Sequence, residues 1–277
     1  MGPGVLFGLA SAAAFGSGDF AGGLASRRAS GMAVSAGAQL VGLAFLLVAL
    51  AVIRPSAPGS DALIFGAAAG ACGGIGLAAL YRGLSLGSMG IVTALSGVGS
   101  VVLPLVVGVT LRGNLIGWLQ WVGVGAAILA GAAASGATAR GVQPQALRMA
   151  AVAAVGLGLW FVFLDLAAER DEIWALVASR TAASVLVGSL VLARGGARAV
   201  VAVWPLVAAA GMMDVAGNAA FVLSRAEIAV GIAAALSGLY PIVTMLLARL
   251  VLREALPGLG VVAVLLAVLG IVLISLG

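Results

Sequence analysis

Residues 79–130 and 220–271 read as two versions of one segment. A shift of 141 places Leu95-Ser96-Gly97 on Leu236-Ser237-Gly238, Gly90 on Gly231, Arg112 on Arg253 and Gly117 on Gly258. A chain with such a tandem duplication folds as two like units, which predicts one at residues 1–140 and another at 141–277. What each unit is made of follows from its solvent. Of the 277 residues, 63% are hydrophobic and 8% charged, against roughly 25% charged in soluble domains. Such a surface belongs in lipid.

A helix needs about 20 mainly apolar residues to cross a bilayer, and ten such stretches fit: 4–25, 33–53, 61–81, 90–111, 115–136, 147–167, 173–193, 201–223, 228–251 and 257–276. Transmembrane strands would show alternating polarity over segments of roughly ten residues, whereas these runs are continuously apolar and rich in Ala and Leu. The expected fold class is therefore an all-α membrane protein. Five spans per unit is an odd number, so the second copy inserts upside down, giving ten transmembrane helices as two inverted five-helix repeats. No connection is long enough for a soluble domain, and the N-terminus lacks the basic segment and cleavage site of a signal peptide, so the first helix is expected to be retained.

The 42 glycines suit helix contacts in lipid, where small residues let backbones approach. Gly4/Gly8, Gly18/Gly22 and Gly66/Gly70 have the spacing of such contacts, and Gly117, Gly125 and Gly131 add small sites on the fifth span. The net charge of +5 comes from fourteen arginines, no lysine and nine acids. No basic face is clustered, so no nucleic-acid partner is expected. The single cysteine, Cys72, excludes an intrachain disulfide and reads as a packing residue. With no histidine, metal centres built on Cys and His are excluded, and no metal or cofactor is expected. The chain also lacks the nucleophile and base of an intramembrane enzyme, and no Walker loop points to ATP hydrolysis.

With the N-terminus cytoplasmic, Arg54, Arg112, Arg170 and Arg225 would face the cytoplasm, and Arg27, Arg28, Arg82, Arg140, Arg148, Arg194, Arg198 and Arg253 the opposite side. The positive-inside rule then favours both termini outside.

The five-plus-five spans, the Ala-Leu-Ser-Gly openings of helices four and nine, and Arg253-Glu254 before Gly258 resemble the EamA-type transporters of the drug/metabolite transporter superfamily over the whole chain. The resemblance implies export or exchange of small metabolites such as amino acids, or of drugs, with helices one, three, four, six, eight and nine around a central cavity. It also implies cytoplasmic termini, against the arginine distribution. The family's acidic residue after helix nine matches Glu254, while the first half has Gly113 there.

Charges near a bilayer centre cost about 2.5–3.5 kcal/mol on insertion scales and face a cavity or one another. Asp214 falls near the middle of helix eight with Asn218 on the same face, Arg180 near the middle of helix seven with Gln39 as its counterpart in the first half, and Asp19 among four glycines on helix one. In one reading Asp19, Asp214 and Arg180 surround a wet cavity, a carboxylate taking a proton or a substrate amine and Arg180 a carboxylate. In the other, Asp214 and Arg180 form a buried pair that locks helices seven and eight. Asp165, Arg225, Glu227, Arg249, Arg253 and Glu254 read as charges at helix ends.

Trp118, Trp121, Trp174 and Trp204 read as interfacial anchors. Trp160, with Phe161 and Phe163, and Tyr81 and Tyr240 are further substrate-contact candidates, as are the equivalent hydroxyls of Ser96 and Ser237, for which bonding back to their own helix is the alternative. Pro104 and Pro241 are expected to kink helices four and nine. The expected function is a secondary transporter working by alternating access, exporting a small metabolite, amino acid or drug-like solute, with protons as the candidate coupling ion. The alternative is a passive channel or facilitator. Its expected setting is the bacterial cytoplasmic membrane, as a monomer or weak homodimer.

Overall fold

The computed structural model describes residues 2–86, 88–112, 117–138, 143–195, 197–228, 233, 236–254 and 258–276, and these are helices joined by short turns, with no strand among them. We number the helices α1 (Pro3–Ala25), α2 (Gly31–Ile53), α3 (Ser60–Ser85), α4 (Met89–Arg112), α5 (Trp118–Thr138), α6 (Pro144–Ala168), α7 (Glu172–Ala193), α8 (Ala197–Ala202), α9 (Trp204–Glu227), α10 (Tyr240–Leu252) and α11 (Gly258–Leu276). Eight of them, α1 to α4, α6, α7, α9 and α11, are long and apolar enough to cross a bilayer, and Trp118–Ala130 and Tyr240–Leu252 are shorter apolar helices.

Local chemistry sets the ends. Pro3 and Pro144 stand in the first turn of α1 and α6, where a missing N–H costs nothing and φ is already helical. Ser30 caps α2 by accepting from the Ala33 N–H at 3.1 Å, and Asp171 caps α7 by accepting from the Trp174 N–H at 3.0 Å. Both pairs of helix starts are 141 residues apart.

Two spans differ from the sequence expectation. Residues 201–223 do not form one helix: the chain breaks at Val203 (φ −115, ψ 12) between α8 and α9. Pro205 is the cause, since its ring excludes the preceding turn and it donates no hydrogen bond. Pro241 does not kink a helix spanning 228–251, because it lies in the first turn of α10, which begins at Tyr240. Pro104 does lie inside a helix, α4. Gly117 and Gly125 are not contact sites, since a Cβ on Gly125 would meet nothing within 4 Å and one on Gly117 only Gln120 Oε1 at 3.9 Å. Gly123 takes that role against α11, with the Gly270 carbonyl 3.0 Å from where its Cβ would stand. Gly113, Arg140 and Gly231 lie outside the described residues, as does the side chain of Arg225.

Helix α3 runs along α6 and α1 along α9; α3 also packs on α7 as α2 does on α9, α4 on α6 as α1 does on α10, and α2 meets α7, α4 meets α10, and α5 meets α11. Individual contacts repeat at the same offset of 141. Gly70 lies on the Ser179 carbonyl, and Gly211 on the Ala38 carbonyl, 2.8 Å from where its Cβ would stand. Gly66 meets Ala178, as Val207 meets Gly37; Gly76 meets Gly156, as Gly217 meets Phe15. At each crossing a residue without a Cβ lets backbones approach, so dispersion replaces the hydrophobic drive that lipid cannot supply. Outside, Val52, Val201, Leu250 and Leu192 are more than 70% exposed, an apolar exterior matched to acyl chains.

The largest buried cluster joins Leu80, Tyr81 and Leu84 of α3 to Met89 and Val92 of α4, Val34 of α2 and Val207 of α9. It closes one end of the bundle. A second, between Ile91, Ala94 and Val98 of α4 and Ala263 to Ile271 of α11, fixes α4 against the last helix.

Candidate functional site

Three crossings bring polar residues together inside the bundle. Because α2 packs on α7 and on α9, Arg180 reaches both neighbours. Its Nη1 donates to Gln39 Oε1 at 2.6 Å, and its Nη2 donates to and ion-pairs with Asp214 Oδ2. The guanidinium lies over Gly42, where a Cβ would stand 3.2 Å from Nη1. The side chains of Arg180 and Asp214 remain 16% and 31% exposed, so the pair borders open space rather than solid packing. Asn218 does not join them through its amide, which donates to the Asp214 carbonyl at 2.7 Å on its own helix.

Gly18 seats α1 on α9, its Cβ position 3.3 Å from the Ala210 carbonyl. That crossing brings Asp19, the next residue, beside the start of the Asp214 turn, with Asp214 N 3.7 Å from the Gly18 Cβ position. The Tyr81 ring rests on Gly22 of α1, and the Tyr240 hydroxyl on Gly97 of α4. Tyr240 also meets Phe15 edge to face, centroids 6.4 Å apart. Among the described residues, neither the Asp19 carboxylate nor either phenol hydroxyl has a hydrogen-bond or ion-pair partner. Trp160 borders the cluster from α6: its ring lies on Gly73, its Nε1 donates to Ser179 Oγ at 3.0 Å, and Phe161 stacks edge-on at 4.7 Å.

The serines are set apart. Ser96 donates to its own helix, with Val92 O at 2.8 Å and Thr93 O at 3.0 Å. Ser237 is buried with no partner among the described residues. An apolar groove of about 460 Å³ between α4, α5 and α6 is lined by residues such as Val102, Ile128 and Leu147 and holds no charged group.

Sequence reasoning passed over the hydroxyls that tie helices together. Ser11 donates to Gly217 O at 2.9 Å, Ser224 to Gly4 O at 2.8 Å and Thr244 to Gly16 O at 3.1 Å. Each acceptor is a glycine carbonyl bared by the missing side chain. A Ser or Thr facing a glycine-rich stretch was the available signal, but it names no partner until the crossing is known.

A further polar contact lies at the closed end. Arg253 ends α10 in the left-handed region (φ 54), and the reversed chain lets the Glu254 N–H close on Ala248 O at 3.2 Å. Glu254 Oε1 then accepts from the Met89 N–H at 2.9 Å at the start of α4, with Arg27 4.0 Å from Oε2. A carboxylate suits the free N–H groups of a helix start. Burial nevertheless pushes its pKa up, against the opposing pull of the Met89 N–H, Arg27 and the Ser88 N–H. The closed contact therefore binds a proton more readily than hydrated Glu254. Its stabilisation is full below the ordinary carboxyl range and fades as pH rises through the raised value. Protection of the Met89 amide from hydrogen exchange, corrected for intrinsic rate, should fall with rising pH in the wild type. It should be flat in Glu254→Gln; a flat wild-type profile would remove the carboxyl from this contact.

Among the described residues, eight bilayer-length apolar helices with an ion pair among them define a multi-pass integral membrane protein. Residues 145–276 match the model of the EamA-like transporter family. No curated protein matches the chain in sequence. One solved crystal structure superposes with a TM-score of 0.60 at 14% identity, over 99% of this chain and 97% of its own, a likeness of fold alone.

Proposed function

We propose that the protein is a secondary carrier that moves a small solute by alternating access, with residues 1–140 and 141–277 lying in the bilayer as inverted five-helix repeats. The Gln39–Arg180 hydrogen bond carries this reading. These two residues are equivalent under the 141 offset, and equivalent residues touch each other only beside the axis that relates them. Such an axis supports a solute site at the midplane, between the repeats, where the charged cluster lies. The paired crossings of Gly70 with Ser179 and Gly211 with Ala38 support the same relation.

Unequal contacts support two states. Helix α3 packs on α1, α2 and α4 of its own half, whereas α9 makes no comparable contact with α6, α7 or α10 among the described residues. Exchanging these arrangements between the repeats would loosen the packed end and pack the other. The latch at Glu254 has no acid at its counterpart, Gly113, so the two ends would be held with unequal strength.

Energy would come from a gradient, and Asp19 and Asp214 make protons the candidate coupling ion. Purified protein in liposomes should show saturable uptake and counterflow of a small solute; flux that never saturates, without counterflow, would favour a passive channel. Asp214→Asn should abolish dependence on a pH gradient while membrane insertion stays intact. Unchanged gradient dependence would take Asp214 out of the coupling.

A further inference from the structure

We infer that the central site takes a protonated organic amine lacking a carboxylate, with Asp19 as its counter-ion; this deepens the carrier reading and rests on it. The charges leave one acid over. Arg180 is the arginine that the described residues bring to the cluster, and its Nη1 and Nη2 already donate to Gln39 and Asp214. Among the described residues Asp19 has no cation and no hydrogen-bond donor. An incoming solute carboxylate would share the Arg180 guanidinium with Asp214 and be repelled by its carboxylate, whereas an ammonium group meets an acid with no cation of its own among the described residues.

The surroundings suit that group further. The Tyr81 and Tyr240 hydroxyls are unpartnered among the described residues; the Tyr81 ring lies on Gly22, one turn after Asp19 on α1, and Tyr240 lies against Phe15, one turn before it. Carboxylate and two phenol oxygens, from α1, α3 and α10, offer acceptors to the three N–H donors of a primary ammonium. Phe15 lies one turn before Asp19 on the same helical face, packed edge-on against Tyr240, and aromatic faces attract cations.

The repeat offset shows that this chemistry is one-sided. The counterpart of Asp19 is Trp160 and that of Asp214 is Gly73, and Trp160 lies on Gly73. One half of the site is thus acidic and the other aromatic, with Phe161 beside Trp160. A solute with an ammonium head and an apolar body matches both.

Phenethylamine and phenylalanine differ by the carboxylate alone and serve as probes. In the full-length protein in detergent, phenethylamine should raise the melting temperature saturably and bind at least about tenfold more tightly than phenylalanine. Asp19→Asn should weaken amine binding at least about tenfold, and Asp19→Glu should retain part of it. Equal binding of the two probes, an unchanged affinity in Asp19→Asn, or stabilisation by sodium chloride in place of the amine would overturn the inference. Should Asp19→Asn fail to fold, the comparison of probes on the wild type still decides. Counterflow separates the two levels: amine binding without counterflow sinks the carrier and leaves the site assignment standing, while counterflow of phenylalanine but not of the amine does the reverse.

Discussion

Arg180→Ala should destabilise the folded bundle, by less than the about 3–5 kcal/mol for removing one partner of a fully buried ion pair, because the Asp214 side chain is 31% exposed. The loss arises because Asp214 would lose its ion-pair partner and Gln39 Oε1 its donor. Removing both charges with apolar side chains of similar volume, in Arg180→Met with Asp214→Leu, should recover most of that stability, because desolvating two ions costs about as much as pairing them returns. Transport should stay lost in both variants. Thermal unfolding in detergent beside counterflow in liposomes separates the outcomes. A double variant that regains stability and also transports would show that the pair only locks helices, the alternative that the sequence left open. Arg180→Lys should fall between, since an ammonium cannot reach two acceptors with the fixed fork of a guanidinium.

Gly70→Ala should be the most damaging of the small substitutions at helix crossings. Its Cβ would overlap the Ser179 carbonyl, with Ser179 Cα at 2.9 Å, and backbone cannot step aside as a flexible side chain can. The cost should reach the upper end of about 1–3 kcal/mol for overpacking, with the shift passed to Arg180, the next residue on α7. Gly211→Ala, at the offset position, meets the Ala38 carbonyl less closely and should cost less. Gly188→Ala is the control: nothing lies within 4 Å of its Cβ, and replacing a helical glycine there should gain about 0.5–1 kcal/mol or nothing. Melting temperatures of the three variants test the order. A tolerated Gly70→Ala would mean that α3 and α7 do not cross as described.

Much of this was legible because lipid imposes few choices. The apolar runs located the helices to within a few residues, since each must satisfy its own backbone and span a fixed thickness. The failures were local. Pro205 ends a helix rather than starting a break already marked by charge, so the interruption at Val203 was invisible to hydropathy. Pro241 reads as a kink only if helix precedes it, which sequence periodicity cannot decide. The offset of 141 singled out Gln39 and Arg180 as equivalents, but not that they touch, because the offset does not say how the helices pack. For the same reason the engagement of Arg180 by Asp214, which turns a candidate carboxylate site into an occupied one, required coordinates. Glu254 was recognised at a helix end, yet its acceptor role at Met89 joins residues 165 apart and has no local signal.

The inverted relation of the two halves can be tested without knowing the solute. Arg28 and Arg170 are exposed in the turns before α2 and α7, next to the equivalent caps Ser30 and Asp171. On a Cys72→Ala background, Arg28→Cys and Arg170→Cys should react with a membrane-impermeant maleimide from opposite faces of sealed vesicles, one before permeabilisation and the other only after. Reaction of both from the same face would contradict the inverted arrangement and the carrier built on it.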